Sequence, residues 1–171
     1  MRRWLNTEPS SAREYILLVL LILIVDIVIA YIAARFGHLP LGIAWRLWRL
    51  FEYGVPVEVL LALLVVVTGQ ELGFRAVPAV LARFVGQPFF TVGLMAGASV
   101  AFGFYWGHAR FSFETKCALA FGGMLLSVLY VKCGGLRHWL PWKAFAFVMF
   151  AHLLADAFIF LAFNMHWREL I

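Results

Sequence analysis

Charged side chains are scarce in this sequence. They make up 13% of its 171 residues, whereas 64% of the residues are apolar. Soluble domains carry about 25% charged and about 45–50% apolar residues, so a soluble fold would expose a large apolar surface with too few charges around it. This composition excludes a soluble globular enzyme and a disordered chain, and it predicts an integral membrane protein.

The chain also lacks a block of basic residues, although 14 Lys and Arg against 9 Asp and Glu leave a net charge of +5. The basic residues lie singly or in pairs between apolar runs, a placement typical of the flanks of membrane segments. The tryptophans lie in or beside the ends of these runs, as in interfacial aromatic belts. We therefore expect the lipid bilayer, and no nucleic acid, as a partner.

Cysteine is nearly absent, with Cys117 and Cys133 as the two in the chain. If both lie on one helix, their separation along the chain places them about 24 Å apart, whereas a disulfide requires Cα atoms within about 7 Å. No Cys-x-x-Cys pair suggests zinc binding or redox chemistry. These observations exclude a disulfide, and we expect two small buried apolar side chains, no metal and no cofactor.

Long apolar runs dominate the sequence and predict an all-α fold, a polytopic transmembrane bundle of about five helices. We expect one domain over residues 1–171, with spans at 15–34, 57–84, 88–108, 116–132 and 141–166. Residues 41–53 differ, because apolar positions at helical spacing alternate there with Trp and Arg. That pattern predicts an amphipathic helix lying in the membrane interface.

Small residues recur at four-residue spacing in the third run, at Gly93, Gly97, Gly103 and Gly107. Small residues four apart allow helix backbones to approach closely in lipid. We expect these glycines to serve helix packing, and this close packing to bring the end of the run toward its neighbours.

Ionisable side chains occur inside three apolar runs, where they are costly and usually mark reaction centres or ion paths. Glu71 and Arg75 lie four residues apart on one helix face and can pair. Gln70 lies about 100° around the helix from Glu71, so it can contact other neighbours. We expect one polar cavity lined by residues of three runs: Gln70, Glu71, Arg75, His108, His152 and Asp156.

Taken in chain order, the polar residues of these three runs resemble the motifs of the CPBP family of glutamic intramembrane proteases. The family contains type II CAAX prenyl endopeptidases and bacterial bacteriocin-processing and immunity proteins. Its Glu-Glu-x-x-x-Arg motif is matched by residues 70–75, its Phe-x-x-x-His motif by residues 104–108, and its His-x-x-x-Asn/Asp motif by residues 152–156. The resemblance covers about residues 57–163 and suggests a bacterial inner-membrane protein.

The resemblance implies hydrolysis of a peptide bond near the C-terminus of a membrane-anchored protein or peptide. A carboxylate at position 70 would activate water as general base, and His108 would hold that water or protonate the leaving amine. His152 and Asp156 would support the oxyanion. Glu71, paired with Arg75, would position the site.

One departure from the family pattern concerns the base itself, because position 70 is Gln. An amide has the shape of a carboxylate but accepts no proton at useful pH. Three explanations are open: an inactivated protease, a natural protein without peptidase activity, or a protease in which Glu71 is the base. We expect the first, in which the chain as written does not cleave.

Other functions compete with a glutamic protease. His108, His152, Glu71 and Asp156 are of the residue types that bind zinc, but the His-Glu-x-x-His signature of metalloproteases is missing. Proton or ion pathways also use Asp, Glu and His within spans, although no inverted repeat of broken helices is visible. A membrane immunity protein that binds without cleaving is a further alternative, and the replacement of the base by Gln70 agrees with it.

Overall fold

The computed structural model describes Pro9 and residues 11–36, 56–105, 112–137 and 141–167. Within these ranges the regular structure is helical and no strand occurs, so the all-α prediction is confirmed. The elements are α1 (Ala12–Phe36), α2 (Pro56–Glu71), a π-helical turn (Leu72–Ala76), α3 (Val77–Val85), α4 (Pro88–Phe104), α5 (Phe113–Lys132) and α6 (Trp142–Trp167).

Each predicted run coincides with a helical segment, and α2, the π-helical turn and α3 follow one another without a break. The third run was expected to reach residue 108, but α4 ends at Phe104 and Tyr105 is extended, with φ −66° and ψ 163°. The interfacial helix expected at residues 41–53 lies outside the described residues.

Two helical segments are long and apolar enough to cross a membrane, Leu64–Val85 and Phe113–Lys132, among the residues whose side chains are described. Helix α4 is apolar but shorter, with 17 residues. Helices α1 and α6 contain 25 and 26 residues, and a membrane-spanning helix needs about 20.

The ends of α3, α4 and α5 follow from their local sequences. Helix α3 stops at Gly86, whose φ of 67° is left-handed and suits a residue without a Cβ. Pro88 then begins α4, where its missing N–H and fixed φ are tolerated. Ser112 caps α5 by accepting a hydrogen bond from the Thr115 backbone N–H.

Helix α5 lies at the centre of the described part of the fold and packs against α1, α4 and α6. Helix α2 packs against α6, and the π-helical turn contacts α4. Residues of α1, α5 and α6 supply most of the apolar core, including Leu129, Val148 and Ala151. This arrangement brings α2, α4, α5 and α6 together around the π-helical turn.

The cysteines and glycines fit the expectations only in part. Both cysteines are free thiols, as expected, but Cys117 is exposed and only Cys133 of the two is buried. Gly103 packs tightly, since a Cβ there would lie 2.4 Å from the Lys116 carbonyl oxygen. A Cβ at Gly93 or Gly97 would meet nothing within 4 Å, so the packing role expected of these two is not seen in the described part of the fold.

Gly103→Ala should lower the free energy of unfolding by about 1–3 kcal/mol, because the added methyl group meets α5 backbone that cannot move aside easily. Gly97→Ala is the matched control, since it places the same group in open space and should change stability by less than about 1 kcal/mol. Unfolding of the purified protein in mixed detergent micelles measures both. Equal effects of the two substitutions would contradict the observed α4–α5 contact.

Candidate functional site

A buried carboxylate is the centre of the candidate site. Glu71 ends α2, and its exposed fraction is 0%. Its Oε1 atom lies 2.6 Å from Nδ1 of His152 and 3.4 Å from Nη1 of Arg75. The short distance indicates a hydrogen bond between Nδ1 and Oε1, in which Nδ1 is the donor when the carboxylate is ionised. One carboxylate oxygen therefore joins α2 to α6.

Arg75 lies in the π-helical turn and is also fully buried. Its Nη2 atom donates to the carbonyl oxygen of Gly123, at 3.3 Å. Its Cζ lies 4.5 Å from the ring centre of Phe102, within the range of a cation–π contact. The guanidinium thus contacts α2 through Glu71, α4 through Phe102 and α5 through Gly123.

Gly123 is needed for this approach of α5. A Cβ at this position would lie 3.0 Å from Cδ1 of Phe102 and 3.2 Å from Nη2 of Arg75. Any side chain would compete with the guanidinium and the ring for the same space. The missing side chain lets the α5 backbone carbonyl reach Arg75.

His152 lies between two carboxylates. Its Nε2 atom is 3.7 Å from Oδ2 of Asp156, one turn further along α6. That distance exceeds a direct hydrogen bond but lies within the range of an ion pair when His152 is protonated. The side chain of Asp156 is 35% exposed, whereas that of His152 is 7% exposed. The cluster therefore runs from buried Arg75 through Glu71 and His152 to the more accessible Asp156.

Gln70 points to a different neighbour, as the helical angle predicts. The side chain is half-buried, and Nε2 donates a hydrogen bond of 2.9 Å to Oη of Tyr105. Tyr105 follows the last residue of α4, so the end of this helix lies beside position 70.

An aromatic group joins the two halves of the site. The rings of Phe74 and Tyr105 lie 5.7 Å apart, and those of Phe102 and Tyr105 stack at 6.2 Å with 14° between their planes. Phe102 also presents an edge contact to His152 at 5.7 Å. Through these rings the residues near Gln70 are packed against the residues near Glu71.

The structure places five of the six expected site residues close together. Glu71, Arg75, His152 and Asp156 form one chain of contacts, and Gln70 is adjacent to it through Tyr105 and the aromatic group. His108 lies outside the described residues. Phe104, which opens the second motif, is 43% exposed and packs against Phe113 of α5 at 5.9 Å.

Sequence reasoning missed three participants: Phe102, Tyr105 and Gly123. The adjacent pair Gly122-Gly123 within an apolar helix was an available signal, because such glycines often mark a close approach. Phe102 lies two residues before the second motif and Tyr105 occupies one of its variable positions, but no periodicity singles them out among the many aromatic residues of the chain.

The cluster combines two carboxylates and an imidazole, which can accept or donate protons, with a guanidinium that stays charged. Oε2 of Glu71 is buried and has no hydrogen-bond partner among the described residues. In the same part of the chain no group of three or more His, Cys, Asp or Glu is arranged to hold a metal ion.

Comparisons of the chain with family models, with curated proteins and with solved structures find no match.

Arg75→Met should lower the free energy of unfolding by about 3–5 kcal/mol, because it leaves the Glu71 carboxylate buried without its guanidinium. Arg13→Met is the matched control, since Arg13 is exposed and its loss should change stability by less than about 0.5 kcal/mol. The double variant Glu71→Gln/Arg75→Met should recover part of the loss. An effect of Arg75→Met no larger than that of Arg13→Met would contradict the buried pair.

Proposed function

We propose that the chain is an integral membrane protein whose five helical segments span a bacterial inner membrane. Large apolar side chains on the outer surfaces of the helices support this, since Val65, Phe84, Phe89 and Phe113 are each at least 69% exposed. Exposed apolar surface of this extent is unfavourable in water and favourable in lipid. The apolar lengths of the segments and the resemblance to bacterial intramembrane proteases support the same proposal.

We further propose that the protein is a glutamic-type intramembrane endopeptidase, held in an inactive form by Gln70. The observation that carries this proposal is the buried contact of Glu71 with Arg75 and His152, with position 70 beside it. Ionisable groups inside a membrane are expensive and usually functional. A contact that served packing alone would not require a second ionisable pair, His152 and Asp156, directed toward a more accessible region.

In the proposed reaction, a carboxylate at position 70 takes a proton from water as the water oxygen attacks the scissile carbonyl carbon. The tetrahedral intermediate carries its charge on the former carbonyl oxygen, which the Nε2–H of a protonated His152 stabilises by a hydrogen bond, with Nδ1 held by Glu71 and the charge supported by Asp156. The C–N bond then breaks, and the amine leaves with a proton, supplied by His108 or by the protonated base. The substrate is a membrane-anchored protein or peptide cut near its C-terminus.

One contact and a difference in burial support position 70, rather than Glu71, as the position of the base. Glu71 is fully buried and already bonded to His152, which suits a positioning residue. Gln70 is half-buried, so a carboxylate at this position would be more accessible to water and substrate than Glu71. The second candidate function is a binding-only membrane protein, which Gln70 itself favours because an amide preserves shape without base catalysis.

The deciding experiment compares cleavage by the written chain, Gln70→Glu and Glu71→Gln in proteoliposomes. The probe is a pool of single-span reporter proteins that differ in their C-terminal tails, and new C-termini are identified by mass spectrometry. Gln70→Glu should cleave at least about 10²–10⁴-fold faster than the written chain, the usual contribution of a general base.

The outcomes separate the candidate functions. Cleavage by the written chain that Glu71→Gln abolishes would make Glu71 the base and contradict the role of position 70. The absence of cleavage in every variant, with the fold retained, would contradict the endopeptidase and favour a binding protein. Activity of Gln70→Glu should also persist in a chelator, since the proposed base is a carboxylate rather than a metal-bound water.

A further inference from the structure

We propose that Tyr105 is a positioning residue that orients the side chain at position 70 for catalysis, an inference that rests on the proposed function. The two side chains are 35 positions apart in the chain, and Nε2 of Gln70 donates to Oη of Tyr105 at 2.9 Å. A bond between such distant positions requires α4 to end beside α2, so it is a feature of the folded site.

The ring of Tyr105 is held by its packing. It stacks on Phe102 with 14° between the ring planes, and it lies 5.7 Å from the ring of Phe74. Phe102 itself contacts Arg75 and His152. The hydroxyl is therefore aimed by the same rings that pack against the buried ionisable cluster, so position 70 and His152 are oriented relative to one another through a shared contact.

The backbone at Tyr105 adds to this placement. The residue is the C-terminal cap of α4 and adopts an extended conformation, so the chain leaves the helix direction there. Because the φ of −66° is still helical, the Tyr105 side chain leaves the backbone about 100° around the helix from that of Phe104, which packs against Phe113. This difference in direction places the Tyr105 ring on the side where Gln70 lies.

A tyrosine hydroxyl serves both an amide and a carboxylate at position 70. It accepts the N–H of Gln70 in the chain as written, and it can rotate to donate its O–H to a carboxylate. In the active form the hydroxyl would hold one carboxylate oxygen, which leaves the other to take the proton from water. Loss of this hydrogen bond would release the side chain into rotamers that do not face the water, without removing a group that touches the substrate.

The test compares Gln70→Glu with Gln70→Glu/Tyr105→Phe on the reporter that Gln70→Glu cleaves best. The substitution removes one oxygen atom and keeps the ring, so the aromatic packing is retained. We expect kcat to fall by about 10- to 100-fold, the scale of a misplaced reacting group, while KM changes by less than about threefold. A purely structural role would lower the fraction of folded protein and leave kcat per folded molecule unchanged.

The matched control is Gln70→Glu/Tyr15→Phe. Tyr15 in α1 also carries a bonded hydroxyl, which accepts a hydrogen bond from Nζ of Lys143 at 2.7 Å, and it lies outside the candidate site. This control should retain the kcat of Gln70→Glu. An equal loss in both double variants would overturn the inference, because the effect would then be general.

The outcomes for Tyr105 and for the proposed function differ. Cleavage by Gln70→Glu with an unchanged kcat in Gln70→Glu/Tyr105→Phe would overturn the role of Tyr105 and leave the protease intact. No cleavage by Gln70→Glu would overturn both. In the chain as written, Tyr105→Phe should also shift the side-chain amide proton resonances of Gln70, and unchanged resonances would overturn the contact itself.

Discussion

The rest of the site depends on the contacts of the buried Glu71 carboxylate with Arg75 and His152. A fully buried carboxylate is costly unless donors and opposite charge compensate it. Here Oε1 has both, from His152 on α6 at 2.6 Å and from the Arg75 guanidinium on the adjoining turn at 3.4 Å, whereas Oε2 has no hydrogen-bond partner among the described residues. Arg75 has the same requirement, which the Gly123 carbonyl and the Phe102 ring help to meet. The contacts of these two charges therefore join four helices, α2, α4, α5 and α6. A π-helical turn begins directly after Glu71, and such turns within α-helices are frequently found at functional sites.

Much of this was predictable from local sequence. Helix positions follow from apolar run length, and the pairs Glu71–Arg75 and His152–Asp156 follow from four-residue spacing on one helix face. The different directions of Gln70 and Glu71 follow from the helical angle of adjacent residues. Each of these inferences involves a few residues of one helix, where geometry is nearly independent of the rest of the fold.

The remaining features depend on how helices are rotated and packed, which periodicity does not report. Gly103 and Gly97 belong to the same sequence pattern, yet a Cβ would clash with α5 at one and meet open space at the other. The side chain of Tyr105, directly after α4, reaches Gln70 because these faces of α4 and α2 meet. The hydrogen bond from Arg75 to the Gly123 carbonyl oxygen forms only when the Gly123 face of α5 packs against the π-helical turn. These contacts join distant positions, so a single sequence carries little signal for them.

The central claim is that Glu71 and His152 interact directly inside the fold and that this contact organises the site. A double-mutant cycle on the free energy of unfolding, with Glu71→Gln, His152→Gln and the double variant, measures that interaction most directly. Contacting residues of one network show a coupling of about 0.5–3 kcal/mol, and a buried bond of 2.6 Å predicts the upper half of that range. Additive effects of the two substitutions would contradict the account.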